Sequence, residues 1–348
     1  MVSVVLAATL TAHLILVDVA TAGPLACIWI EWRSRRRADP SADALALRLA
    51  VVSLWALLFG GLLGGVLLAA RYLADDRAYM AALAAVPRDR IWFGLLELLF
   101  SFVCLAAYVG LWERMREHRV WHRLLALAGA SNSLVHLPAF FTVVAVLSAR
   151  GQRAGESLDR AAYRRLLFDG EVMSRVAHVW LAAAAVTGIV VAVLATRAQA
   201  RSMPQETGER HRRGGAWLAL GATLFQFPVG AWVALEMPAA ARRPLLGDDW
   251  LATGLFLAAL LVSVQLLHLL WAIAVGEAPA TRVWQAMAAV AVLVLLMVGA
   301  RLRLNQLTAC ETSAPTVGRK HAAASSFARD TDPAIGWALR DGRRPSLA

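Results

Sequence analysis

Four histidines lie inside segments that carry almost no other polar side chain. His13, His136, His178 and His268 each sit in a largely apolar run of about 20 residues, the length that crosses a bilayer. Hydrocarbon holds no water to satisfy an imidazole, so such a residue faces a partner, a cavity or a metal. Neutral imidazole is the commonest protein ligand for metals. Four of them on four spans point to a membrane protein that holds haem. The alternative for each is structural, a bond to a neighbouring carbonyl. For His268, in Gln265-Leu266-Leu267-His268, a structural or interfacial role is the better reading.

Two carboxylates share this setting. Glu97 stands in Leu95-Leu96-Glu97-Leu98-Leu99 and needs either a partner or a proton. It reads as a proton relay, a haem ligand or the partner of a histidine. Asp18 lies five residues after His13 and invites the same reading. His136 precedes Pro138, which has no N–H for the carbonyl of Leu134, so His136 or Asn132 is expected to help satisfy that group. The stretch Gly60-Gly61-Leu62-Leu63-Gly64-Gly65 lets a neighbouring helix approach closely or leaves room for a porphyrin face.

Eight spans must position these residues: roughly 4–30, 48–70, 91–112, 122–147, 173–196, 215–236, 250–275 and 281–300. Tryptophans mark many of their ends, among them Trp29, Trp92, Trp112, Trp121, Trp217, Trp250 and Trp284, as an aromatic belt should. Arginine is richer in the loops after spans 1, 3, 5 and 7 than in those after spans 2, 4 and 6, which favours a multi-pass protein with its N-terminus outside. At 1.5 Å of rise per residue, His13 lies about 14 Å into span 1, Glu97 about 9 Å into span 3 and His178 about 9 Å into span 5. His136 lies about 16 Å from the outer end of span 4. Three histidines and a glutamate on four helices thus gather in or near one half of the membrane, where a site between bundle helices would need them.

Composition closes off other classes. Of 348 residues, 59% are hydrophobic and 17% charged, well below the charge of a soluble chain. The net charge is +11, and Lys320 is the only lysine. The arginines fall between apolar blocks and read as topology signals and lipid contacts, not as a nucleic-acid surface. Cys27, Cys104 and Cys310 form no framework, and no C-x-x-C-H occurs for covalent haem attachment. Residues 1–22 end in Ala-Thr-Ala but lack a basic start and carry His13 and Asp18, so they read as a retained span. The bundle is taken as residues 1–304, and 305–348, rich in Ala, Ser, Thr, Asp and Arg, as a disordered tail.

With these residues in place, the chain resembles subunit I of cytochrome bd-type quinol oxidases over about residues 5–235. Span 1, from Ala12-His13-Leu14 to Trp29-Ile30-Glu31, is similar to that family's first helix, where a histidine binds a high-spin haem and a glutamate closes the helix. Span 5, with Ser174-Arg175-Val176-Ala177-His178 and Val186-Thr187-Gly188, is similar to the helix that carries the histidine of a low-spin haem b. Gly129-Ala130-Ser131-Asn132-Ser133 and Trp112-Glu113-Arg114-Met115 resemble stretches of the fourth and third helices.

The resemblance implies an all-α polytopic bundle that passes electrons to oxygen or another acceptor. It implies His13 and His178 as axial ligands, haem b with haem d as a further candidate, and a second membrane subunit. His136 is a candidate extra ligand and Met237 a candidate sixth ligand, while Glu97 and Asp18 would move protons. The chain departs from the family at several points. Span 7 contains no methionine, span 8 no acid, and G-R-Q-P-W is absent. Only Met237 to Asp249 joins spans 6 and 7, where the family has a long quinol-binding loop. Quinol oxidation is therefore not carried over, and the electron donor is left as a quinol or a cytochrome. Two rivals are a b-type electron carrier without oxygen reduction and a haem-free transporter coupled to protons through Glu97 and Asp18.

Overall fold

The structure, a computed structural model, describes residues 2–36, 38–151 and 155–313. Its elements are α1 (Val2–Arg36), α2 (Pro40–Leu73), α3 (Arg77–Ala85), α4 (Arg88–Gly110), α5 (Arg119–Ala149), α6 (Arg160–Leu167), α7 (Gly170–Gln199), α8 (Gln205–Glu236), α9 (Ala239–Arg242), a 3-10 turn (Arg243–Leu246), α10 (Trp250–Val275) and α11 (Thr281–Ser313). Among the described residues there is no strand, and eight helices are long and apolar enough to cross a membrane. The chain is a multi-pass membrane protein, as the sequence predicts. Residues 314–348, most of the expected tail, lie outside the described residues; α11 runs on to Ser313.

Aspartate caps start two of the helices, α2 and α7, ahead of the expected spans. Asp39 accepts from the amides of Ser41 and Ala42, with Pro40 in the first turn, so α2 begins at Pro40 rather than at residue 48. Asp76, Asp159, Asp169 and Asp249 cap α3, α6, α7 and α10 in the same way. With 35 residues in α1 and 34 in α2, each runs about 50 Å, against a hydrocarbon core of about 30 Å, so their ends stand in the headgroup layers. The short helices α3, α6 and α9 lie in the connections between the spans.

Helix α1 packs on α2, α5 and α7; α4 packs on α5 and α2; α7 packs on α8, and α8 on α10. The α7–α8 crossing is a backbone contact. A Cβ added at Gly188 would stand 2.5 Å from the carbonyl oxygen of Gly215 and 2.7 Å from the amide nitrogen of Ala219. Gly188 belongs to the Val-Thr-Gly stretch, and its packing reason is this approach. Two of the arginines expected to mark topology also close a helix end. Gly276, at φ 85°, ends α10 in the left-handed region, and Arg213 and Arg212 donate to the carbonyls of Ala274 and Ala278 there.

Candidate functional site

His13 sits on α1 against the glycine stretch of α2. Its Nδ1 lies 2.8 Å from the carbonyl oxygen of Gly60. A carbonyl only accepts, so Nδ1 carries the proton and Nε2 keeps a free lone pair. The ring rests where a Gly64 Cβ would be, 3.0 Å from Cε1, and Gly60 admits Val17 at 3.3 Å. The glycines therefore seat this imidazole as well as the helix.

His178 stands on α7, half-buried, and its Nδ1 is buried without a hydrogen-bond partner among the described residues. An imidazole nitrogen in that state has lost water and gained nothing in return. Two residues later, Trp180 donates its indole N–H to the Leu134 carbonyl at 2.6 Å. That is the carbonyl Pro138 leaves free. The expectation that His136 or Asn132 would satisfy it is overturned. Asn132 instead donates to the Glu97 carbonyl at 3.3 Å, and His136 turns to the Glu97 side chain.

Glu97 and His136 join α4 to α5, with Nδ1 and Oε1 2.6 Å apart. The carboxylate side chain is 8% exposed and the imidazole 51% exposed, with Phe93 edge-on to it at 5.5 Å. Glu97 Oε2 is buried and has no partner among the described residues. One turn further along α4, Ser101 Oγ is in the same state, as are Ser133 Oγ on α5 and Thr11 Oγ1 on α1. Thr21 donates to the Ser133 carbonyl at 3.5 Å, and Asp18 is buried on α1. Buried polar atoms left this way are where ordered water sits in a protein interior.

The sequence-derived residues do not all converge. Of them, Glu97 and His136 form a bonded pair. No hydrogen bond or ring contact joins His13 to His178 among the described residues. Met237 ends α8, half-buried. His268 faces outward from α10. Among the described residues no three His, Cys, Asp or Glu side chains gather as a metal-ion cage would require. Axial ligation of haem needs only one or two.

A second constellation, which the sequence reading did not assemble, lies at the other end of the same helices. Glu31, with 0% of its side chain exposed, is ringed by Arg119 Nη1 at 3.3 Å, His122 Nδ1 at 3.4 Å and Arg123 Nε at 3.5 Å. Tyr108 donates its hydroxyl to Glu31 at 3.2 Å. His122 Nε2 meets the Tyr108 carbonyl at 2.9 Å, so Nε2 carries a proton, and the two rings stack at 4.2 Å. The signal was legible as Arg119, His122 and Arg123 at helical spacing opposite a span-ending glutamate.

Outside the spans, Asp169 and Glu171 hold Arg150, at 3.1 and 2.8 Å. Burial pushes the Asp169 carboxyl up, but hydrogen bonds from Arg150 and the Glu171 amide, with the charges of Arg150 and Arg175, hold it below the usual carboxylate range.

No protein-family model matches the chain, and no curated protein matches it. Its structure is similar to a chain of the bd oxidase from Geobacillus thermodenitrificans, with a TM-score of 0.64 and 15% identity, over 87% of this chain and 86% of that one. The two shares are nearly equal, so the two chains are of similar length. At this identity the likeness speaks for the fold: an all-α, multi-pass bundle of the kind found in bd oxidase.

Proposed function

We propose that this chain is a haem-holding membrane protein that passes electrons toward oxygen or another acceptor, as a divergent relative of bd oxidase subunit I. The observation that carries the reading is a pair of imidazoles, each with a nitrogen to spare. His13 is oriented through Nδ1 and leaves Nε2 free beside Gly64, and His178 has a buried nitrogen without a partner. A metal ligand is held this way, one ring nitrogen steered by a carbonyl and the other left for the metal. Haem b, with haem d a further candidate, would supply the one-electron chemistry. This chain supplies axial ligands in His13 and His178, with His136 as an extra imidazole and Met237 as a thioether.

Glu97 Oε1 lies against Nδ1 of His136, and its second oxygen is buried without a partner among the described residues, as are the hydroxyls of Ser101 and Ser133. Water on Ser101 and Ser133 would link Glu97 toward Asp18, which makes these two carboxylates the ends of a proton path. A second membrane subunit would cover the exposed half of His136, which lipid cannot satisfy. The donor, quinol or cytochrome, docks elsewhere than on a long loop after α8, since only α9 and a 3-10 turn stand there. The bacterial inner membrane is the location that the likeness to bd oxidase implies, and the arginine asymmetry supports an N-terminus outside.

A reduced-minus-oxidised visible spectrum of the purified chain tests this. A Soret band that loses its low-spin part in His178→Ala and its high-spin part in His13→Ala is the expected result. A b-type band alone indicates an electron carrier. No Soret band, in protein reconstituted with haem, overturns the reading in favour of a transporter.

A further inference from the structure

A cleft of about 250 Å³ opens at the end of the bundle where α1 stops and α2 starts. Ser41, Ala44 and Arg48 of α2 line one side, and Ala198 at the end of α7, with Ser202 and Met203 in the connection that follows it, line the other. It lies at the opposite end of α2 from Gly60 and His13, and nothing in the proposed electron path uses it.

Arg48 is the one charged side chain lining this cleft, and it is exposed there. Elsewhere at this end Arg119 and Arg123 hold Glu31, Arg210 holds Glu206, and Arg212 holds Glu209. Arg48 pairs with no carboxylate among the described residues. The acids nearest to it in sequence are engaged elsewhere. Asp39 caps α2 and accepts from Thr207, and Asp43 accepts from the Trp112 indole.

Depth sharpens this. Helix α2 has 34 residues, about 51 Å, and overruns a core of about 30 Å by about 10 Å at each end. Arg48 is eight residues past Pro40, about 12 Å in, which sets its guanidinium at the edge of the hydrocarbon. Ser41 and Ser202 lie outward of it, in the headgroup layer. A lone guanidinium at that level, with hydroxyls on its water side and alanine and methionine beside it, fits a phosphodiester carrying an acyl chain. Arginine binds phosphate oxygens through two parallel N–H groups, and basic clefts between spans take anionic headgroups.

We infer that this cleft binds an anionic phospholipid, with Arg48 on the phosphodiester and Ser41 and Ser202 flanking it. The test uses the full chain, delipidated in neutral detergent, with lipid retention read by native mass spectrometry and Tm read on the same samples. Phosphatidylglycerol should bind about fivefold more tightly than phosphatidylcholine, and Arg48→Gln should erase that preference. Arg48→Lys should keep part of it. Ser202→Leu, which fills the cleft from the opposite wall, should lower retention without touching a charge. Arg114→Gln, an exposed change at the same end, should leave it unchanged. The inference fails if Arg48→Gln keeps the wild-type preference, if Arg114→Gln lowers it equally, or if inorganic phosphate displaces the lipid at matched concentration.

Discussion

The two ends of the α1–α4–α5 packing hold the same residue types in opposite states. Near one end, Glu31 is fully buried and receives Arg119, Arg123, His122 and Tyr108, so its charge is compensated. Near the other, Glu97 has one oxygen on a half-exposed His136 and one oxygen on nothing, and His178 keeps an idle nitrogen. The difference lies in the carboxylates themselves: Glu31 has three basic side chains within ion-pair distance, whereas Glu97 keeps one oxygen without a partner. Buried polar atoms without a hydrogen bond occur at both ends, His122 Nδ1 and Arg123 Nε among them, so compensation of the charge, rather than a count of idle atoms, is what distinguishes the two.

Breaking the closed end should have the largest effect. Glu31→Ala strands the buried Arg119 guanidinium and removes the partner of the half-buried Arg123, and should lower stability by about 3–5 kcal/mol, read as a fall in Tm and folded yield in detergent. A wild-type Tm would mean that this network does not lock the helices. Gly188→Ala, a control for ordinary packing, should cost about 2–3 kcal/mol through the α7–α8 backbone contact, measured on the same scale.

The open end should respond more gently in stability and more sharply in function. Glu97→Gln removes the charge opposite His136 but keeps a hydrogen-bonding group, so it should cost about 1 kcal/mol. If Glu97 moves protons, it should also flatten the pH dependence of haem reduction in a redox titration; an unchanged pH slope would place Glu97 among the structural groups.

The smallest effect belongs to Asp169. Its folded carboxyl lies below the ordinary range, so its contribution is complete above about pH 4 and fades as pH falls through the lowered value. Asp169→Asn keeps a cap and loses the charge, so it should cost about 0.5–1 kcal/mol at neutral pH, with the difference vanishing in acid. A Tm gap that persists at pH 2–3 would assign the effect to capping rather than to the Arg150 ion pair.

Much of this was visible in the order of residues, and what was missed has definite causes. The apolar runs predicted eight spans, and eight membrane-length helices are present among the described residues. The short helices α3, α6 and α9 escaped because each is brief and carries no long apolar face; α3 and α6 are started by the caps Asp76 and Asp159. Pro138 announced a free carbonyl at Leu134 correctly, but its donor, Trp180, comes from another helix 46 residues away. No local spacing could have named it. The residue-level resemblance to bd oxidase subunit I and the structural likeness to a bd oxidase chain agree on the fold.

Hydrophobic length and periodicity alone determined that this chain crosses a membrane as an all-α bundle, because lipid forces each span to satisfy its own backbone. They also singled out the polar residues that such a span should not tolerate. Which of those residues are spent and which are free was decided only by tertiary packing. Helices of similar composition brought three basic residues to Glu31 and left His178 with none, and that difference depends on which faces meet across the bundle rather than on what any one span contains.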